Sequence, residues 1–317
     1  MAMAVLHLVT VAHALRAPIN LATPSSMRTP RAVTVLSLPT VVTQCTVHTA
    51  WKVAAASGCA AITGQVVLTA LFKRDKATAD APAFYAYNVV AGMYMLVASA
   101  IGAAALMPPT SWPVGAAGRL LQPSGPGRFL TGMLLGELLL WDLPMSLWIH
   151  ELRKPVMLIH HAAMACAASI VIGPAPIFYA CFYFGISEFS SVPLAVNEHY
   201  VRLARTLEHD VSANRRRGVP TRPKDVARLK RVKLLRHSSQ TAGAALFILL
   251  RATIFPLVTI RGLLPDVLAV VGSGAAIGAQ ARWLQAHLAL GLCFTALQLF
   301  WFVQVIRVAV FGEARPE

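Results

Sequence analysis

Ionisable side chains stand inside apolar stretches of this sequence, and the adjacent histidines His160 and His161 are the clearest case. The pair opens the run MLIHHAAMACAASIVIG, which is otherwise apolar or small. Asp142, Glu188 and Arg251 lie in three further apolar runs. A histidine beside a carboxylate is suited to act as a general base or a nucleophile, because the carboxylate fixes the imidazole tautomer. These residue types predict acid–base chemistry or polar recognition in an apolar setting.

The spacing of the histidines disfavours a metal or a haem. Adjacent residues of a helix point about 100° apart, whereas two helical histidines that share a metal favour spacings of three or four residues. A bis-histidine haem needs histidines on different helices at matched depth, and His287 lies near the other membrane face of its predicted span. The sequence therefore predicts no metal and no cofactor.

The composition is that of a membrane protein. Of 317 residues, 56% are hydrophobic and only 13% are charged, and the mean hydropathy is +0.61. A soluble domain of this length needs more charge to cover its surface. The five cysteines are scattered and form no C-x-x-C pair, which indicates core residues rather than a disulfide framework or a zinc site.

Continuous apolar runs without period-2 alternation predict transmembrane helices rather than a β-barrel. The expected fold is an all-α, multispanning bundle of about seven transmembrane helices around a polar cavity. A stretch over 262–280 carries Pro, Asp and several glycines and is predicted to be re-entrant or interfacial, and GPAP at 173–176 to be a tight turn. The predicted spans are 51–72, 83–107, 129–149, 156–173, 175–196, 241–260 and 284–311.

Basic residues accumulate on one side of these predicted spans. Residues 201–237 hold 12 Lys and Arg against three acids. That side holds 19 Lys and Arg residues in all, and the other side holds eight. The richer side is expected to be cytosolic, so 197–240 is predicted to be a cytosolic loop facing anionic lipid, in preference to a nucleic-acid-binding segment.

With this orientation, the intramembrane ionisable residues fall at similar depths. At about 1.5 Å per residue, Asp142, the histidine pair and Glu188 lie roughly 6–12 Å inside the cytosolic face. An ionisable side chain that faces lipid carries a large free-energy cost. These side chains are therefore expected to face one another around a cavity. The alternative is a set of buried ion pairs that only fixes helix packing. Glu137 is expected to neighbour the same cavity.

The first 50 residues are predicted to form a tail separate from the membrane domain. No acid occurs before Asp75, and Ala12-His13-Ala14 resembles a cleavage site after a short apolar run. The tail is therefore either a signal or transit-like segment or a disordered extension. The membrane domain is predicted to cover 51–312 and a C-terminal tail 313–317.

The order of these motifs resembles the TLC family, named for TRAM, LAG and CLN proteins, which includes the ceramide synthases. The matching pieces are LLLWDLPMSLWIHELRKPVMLIHH (138–161) and FGISEFSSVPLAVNEHYV (184–201). The resemblance covers roughly 50–312 and is specific across 137–201. The paired aspartates of the ceramide synthases are absent between Phe178 and Tyr200, so the sequence looks closer to the TLC-domain-containing branch, whose members affect membrane lipid composition.

The shared depth and this resemblance together indicate the following site. Its catalytic candidates are His160, His161, Asp142 and Glu188, with the histidines as base or acyl acceptor. Its substrate-binding candidates are Arg251, Glu137, Ser187, Ser191 and Asn197.

Three functions fit this sequence. The first is membrane lipid homeostasis, in which a sphingolipid or acyl chain is bound or processed in the cavity. The second is a ceramide synthase-like N-acyltransferase that takes acyl-CoA as substrate, with Arg153, Lys154 and the basic segment at the cavity mouth. The third is a non-enzymatic trafficking or cargo factor whose recognition surface is the basic segment. Membrane lipids are the expected partners and the endoplasmic reticulum the expected location, or a plastid or other endomembrane if the tail is a targeting sequence. The sequence does not predict an oligomeric state.

Overall fold

A computed structural model describes residues 38–107, 112–172, 178–220 and 222–311. The predicted cleavage site at Ala12–Ala14, the predicted turn at 173–176 and the predicted tail 313–317 lie outside these residues. The described part of the chain is helical throughout and contains no strand, which confirms the all-α prediction.

Seven long helices make up most of the described residues. They are α1 (Val47–Phe72), α2 (Pro82–Leu106), α3 (Gly125–Glu137, continuing through Leu138–Asp142 and Leu143–Trp148), α4 (Pro155–Ile172), α5 (Ser191–Arg216), α6 (Pro223–Gly272) and α7 (Gly278–Phe311). Every one except α5 belongs to a helix long and apolar enough to cross a membrane, so the described residues contain six candidate spans. A multispanning membrane bundle is therefore confirmed, with six such helices against the seven spans predicted.

The difference lies in the predicted span 175–196, which is broken. Its described part forms a short helix, Ala180–Tyr183, a 3₁₀ turn, Ile186–Ser190, and the start of α5. Nearly all of the residues from Phe178 to Ser190 are buried. Irregular backbone at membrane depth is tolerated where protein surrounds it, and this segment meets that condition at the centre of the bundle.

Contacts at two ends show that the broken segment and α5 together run the length of the bundle. At one end the Tyr179 hydroxyl donates to Asp266 at 2.7 Å. At the other end Arg202 pairs with Asp80, in the α1–α2 connection, at 3.1 Å and also with Glu151, in the α3–α4 connection. We call the Asp80–Glu151 end the basic end, because the Arg- and Lys-rich residues 201–237 lie there.

Glycines allow the broken segment to pack tightly on α2. A Cβ on Gly102 would lie 2.8 Å from Gly185 Cα and 2.5 Å from the Cys181 carbonyl oxygen. A real Cβ does not approach other atoms this closely, so the α2 backbone and the broken segment can pack at this distance only because residue 102 is glycine. Ser99, one turn earlier on α2, donates to the Gly185 carbonyl at 3.3 Å.

Two further predictions are corrected by the structure. The stretch 262–280 is not a separate re-entrant segment, because α6 continues through it to Gly272 and α7 begins at Gly278. The basic stretch 197–240 is not a loop, because it forms a hairpin of α5 and the first part of α6. Its apolar residues Leu203, Leu207 and Val232 are buried together. The stretch therefore forms two amphipathic helices that pack on each other, and a count of charges alone does not reveal this pattern.

Three wide π-helical turns interrupt the long helices. They cover Leu138–Asp142 in α3, and Phe247–Ile254 and Thr259–Leu263 in α6. Each ends two residues before a proline: Pro144, Pro256 or Pro265. Proline lacks the N–H that would close an ordinary helical turn and its ring crowds the preceding carbonyl, so the helix widens at that point. Such turns recur at functional sites, and two of these three carry candidate site residues.

Candidate functional site

A cavity of about 560 Å³ lies among α2, α4, α5, α6 and α7, within the volume range of small-molecule sites. Six of the nine predicted site residues line it: His160, His161, Glu188, Ser191, Asn197 and Arg251. The rest of the lining is largely apolar and includes Met95, Met157, Leu194, Phe247, Trp301 and Val305. Three of the four predicted spans therefore bring their ionisable groups to one cavity.

Asp142 lies behind the cavity wall and contacts His161. The His161 Nδ1 is 2.8 Å from Asp142 Oδ2. The other carboxylate oxygen accepts hydrogen bonds from the Tyr87 hydroxyl at 2.6 Å and from Ser146 at 3.1 Å. Asp142 is 3% exposed, so its charge is balanced by these neighbours rather than by solvent. The approach of His161 to Asp142 is a close contact rather than a hydrogen bond, because Nδ1 of His161 has no hydrogen-bond partner among the described residues.

His160 has a different environment, as expected for adjacent helical residues. Its ring packs edge-on against Phe294 and Trp301 of α7, with ring centroids 5.6 and 5.1 Å apart. The two imidazole rings are 5.6 Å apart. Nδ1 of His160 is buried without a hydrogen-bond partner among the described residues. His161 is therefore the histidine in close contact with a carboxylate, while His160 is held by aromatic packing.

Arg251 and Glu188 form the opposite wall of the cavity. Nη2 of Arg251 donates to Glu188 at 3.0 Å and to the Ser191 hydroxyl at 2.7 Å. Nε donates to the Ser190 hydroxyl at 2.8 Å and the Ser187 carbonyl at 3.4 Å. The guanidinium thus hydrogen-bonds to the 3₁₀ turn of the broken segment. These hydrogen bonds explain how Glu188 is held at the cavity although it is not part of a regular helix.

The side chains of two predicted residues lie outside the cavity lining and take no part in these contacts. Glu137 is buried on α3, five residues before Asp142. The Ser187 side chain donates to the Tyr183 carbonyl at 2.7 Å, so only its backbone meets Arg251. Among the described residues, no three His, Cys, Asp or Glu side chains gather as ligands for a metal ion.

Several residues of the site were not predicted from the sequence. Tyr87 in α2 and Ser146 in α3 are polar residues within apolar runs. Their polarity is a weak sequence signal for a buried polar contact. Trp301 of α7 also lines the cavity. Gln240 and Gln304 also line the cavity, and Gln240 lies within the stretch interpreted as a loop.

The amide side chains mark the cavity wall nearest the basic end. Along their helices, Asn197, Gln240 and Gln304 are followed toward that end by Arg202, Arg236 and Arg307 respectively. Three to five residues of helix separate each pair, which is roughly 4–8 Å. We call this amide-lined side, together with the three arginines beyond it, the cavity mouth.

The basic end also affects a carboxyl group in the α3–α4 connection. Burial raises the pKa of the Glu151 carboxyl, but its backbone hydrogen bond and Arg202 outweigh this and hold the pKa below its usual range.

One of three comparisons with known proteins found a match. The family model for the TLC domain of TRAM, LAG1 and CLN8 proteins matches residues 83–307. This range contains the whole cavity lining. Searches of curated proteins and of solved structures found no match. Because the family model covers most of the chain and all of the site, this integral membrane protein belongs to the TLC domain family.

Proposed function

We propose that the protein acts in membrane lipid homeostasis by binding the acyl chain of a membrane lipid in the 560 Å³ cavity. The observation that carries this proposal is the combination of a mostly apolar wall with a small set of polar groups. Ligand sites of this kind bury the apolar body of a ligand and orient it through a few polar contacts. An acyl chain fits the apolar wall, and a polar head group fits the amides, Glu188 and the histidines.

The family and the location of the cavity support a lipid of the surrounding bilayer, with a sphingolipid as the specific candidate. We place the protein in the endoplasmic reticulum membrane, with the basic end in the cytosol by the positive-inside rule. The test is direct. Full-length protein purified in mild detergent should retain a lipid of defined mass in native mass spectrometry, and substitution of a lining residue by a larger one should remove it.

A second candidate function, acyl transfer from acyl-CoA to an amine, is favoured by the His161–Asp142 contact. In this reaction Nε2 of His161 would accept the amine proton while the amine nitrogen attacks the thioester carbonyl. The C–S bond then breaks, and the CoA thiolate takes the proton back from His161. The anionic CoA head would wait at the basic end, near Arg202, Arg236 and Arg307.

This second function is tested by supplying acyl-CoA and a long-chain base to protein in lipid nanodiscs and measuring N-acylated product. Product above the level of a His160→Ala/His161→Ala variant supports transfer. Lipid binding without product leaves the homeostasis function and excludes transfer from these substrates.

A further inference from the structure

The hairpin of α5 and α6 extends well beyond the cavity at the basic end. α5 runs without interruption over Ser191–Arg216, and the first part of α6 is a single α-helix over Pro223–Leu246. The cavity-lining residues Asn197 and Gln240 lie on these same two helices. At about 1.5 Å per residue, the helices continue for roughly 24–29 Å past these two amides. Because neither helix is broken between the cavity and the turn, the turn points away from the bundle.

Basic residues at the far end of this hairpin have no acidic partner. Closer to the bundle, Arg228 pairs with Asp75 at 3.4 Å and Lys233 with Glu208 at 2.6 Å. Beyond these pairs, five exposed Arg and Lys residues take part in no ion pair with any described residue. Two exposed apolar residues lie between them. We call this end the basic tip and define it as Arg215, Arg216, Arg217, Val219, Pro220, Arg222 and Lys224.

The bilayer that holds the bundle lies out of reach of the basic tip. Asn197 and Gln240 lie where the apolar stretches of their helices end, which places them near the edge of the hydrocarbon core. The head-group layer extends only about 5–8 Å beyond that core. An anionic surface attracts charges over about 8 Å more at physiological ionic strength. The hairpin is longer than these two distances together, so the charges of the basic tip are available to another partner.

The apex of the basic tip presents apolar side chains between cations. Gly218 has a φ of 68°, and the N–H of Val219 donates to the Asn214 carbonyl at 3.0 Å, so the turn is closed. Val219 is 49% exposed. Residues 201–246 contain no Phe, Tyr or Trp, the side chains on which the bases of single-stranded nucleic acids stack. A convex apex of this composition fits a surface with anionic groups outside and hydrocarbon inside, which is an anionic bilayer.

We propose that the basic tip binds the anionic surface of a second membrane, opposite the membrane that holds the bundle. Four of its five cations are arginines, and a guanidinium forms paired hydrogen bonds with phosphate oxygens. The two helices would hold the second surface roughly 24–29 Å from the amides of the cavity mouth. This binding does not depend on which lipid the cavity takes, or on whether it takes one.

Co-flotation of nanodiscs with vesicles tests this proposal. Full-length protein is placed in nanodiscs of phosphatidylcholine and mixed with vesicles of phosphatidylcholine and phosphatidylserine. We expect the nanodiscs to float with these vesicles but not with vesicles of phosphatidylcholine alone. Binding should be lost in about 1 M salt, where charges are screened beyond about 3 Å. Arg215→Gln/Arg216→Gln/Arg217→Gln should weaken binding about 100-fold, because three cations near an anionic surface are removed.

The matched control is Lys73→Gln/Arg74→Gln/Lys76→Gln, which removes three exposed charges from the α1–α2 connection at the same end of the bundle. It should bind the vesicles within several-fold of the unmodified protein. Nanodiscs of the unmodified protein that do not float with anionic vesicles would overturn the proposal. Equal losses in the two variants would do the same. Capture by duplex RNA or by a poly-glutamate peptide, without capture by the vesicles, would replace the membrane by that partner.

Discussion

His161 Nδ1 lies 2.8 Å from Asp142 Oδ2, across the contact between α4 and α3. Tyr87, from α2, donates to the other oxygen of the same carboxylate. Asp142 of α3 therefore bonds to α2 and contacts a cavity histidine of α4. This arrangement explains how a carboxylate can be buried in the bundle, because Oδ1 accepts two hydrogen bonds and Oδ2 lies beside a group that can carry a proton.

Asp142→Asn keeps the shape of this cluster but removes its negative charge. We expect the free energy of unfolding to fall by about 1–3 kcal/mol, because buried hydrogen bonds to a charged acceptor are weakened. The His161 ring signal in ¹⁵N NMR should also shift, because a charged oxygen 2.8 Å from Nδ1 is lost from the carboxylate. Asp210→Asn, on the exposed surface of α5, serves as control and should change neither quantity. A His161 signal unaltered by Asp142→Asn would show that the contact does not orient the ring.

Arg251→Met leaves the Glu188 carboxylate without its cation, although Glu188 has only 12% of its side chain exposed. We expect a loss of about 3–5 kcal/mol, the usual effect of leaving one member of a buried pair uncompensated. Adding Glu188→Gln should restore much of the loss. The matched control is Lys233→Met, which breaks an exposed pair with Glu208 and should cost less than about 1 kcal/mol. Denaturation in detergent followed by tryptophan fluorescence measures all three variants. Equal losses for Arg251→Met and Lys233→Met would contradict the buried pair.

Ala244→Trp should block the cavity, because Ala244 lines it and an indole would occupy much of its volume. We expect affinity for an acyl-chain ligand to fall about tenfold or more, equivalent to about 1.4 kcal/mol or more. The adjacent Ala245→Trp places the same side chain at an exposed position and should bind as the unmodified protein does. Native mass spectrometry of retained lipid compares the two. Equal retention by both variants would remove the cavity as the binding site.

Gly102→Val should displace the broken segment from α2. Its new Cβ would meet the backbone of Cys181 and Gly185, and overpacking of this kind costs typically about 1–3 kcal/mol. Gly64→Val, on α1, is the control, because its nearest neighbour is a side-chain methyl 3.4 Å away. A thermal midpoint for Gly102→Val as high as that of Gly64→Val would mean that the two backbones are not in close contact.

Much of the bundle could be predicted from the sequence because lipid imposes a simple rule: apolar helices of sufficient length. Six predicted spans coincide with long apolar helices. The exception contains Gly185, Glu188 and Pro193, and hydropathy alone cannot reveal that a segment is broken yet buried. Its conformation depends on neighbours distant in sequence, above all Arg251 and Gly102.

The candidate site was predictable to a similar extent. Counting residues from span ends placed His161, Asp142 and Glu188 at similar depth and Arg251 somewhat deeper, and the structure brings His161 to Asp142 and Arg251 to Glu188. The pairing itself was not predictable, because depth does not tell which faces of two helices meet. Tyr87 was missed for the same reason: a tyrosine in an apolar span is ordinary until its partner is known.

The most direct test of the central claim is photo-crosslinking with a sphingosine that carries a diazirine on its chain. Full-length protein in lipid nanodiscs is irradiated with this probe, and the adducts are located by mass spectrometry. Lipid binding in the cavity predicts adducts at the lining residues Met157 and Trp301, lost in Ala244→Trp and kept in Ala245→Trp. Adducts confined to exposed bundle positions such as Leu268, and unchanged by Ala244→Trp, would contradict it.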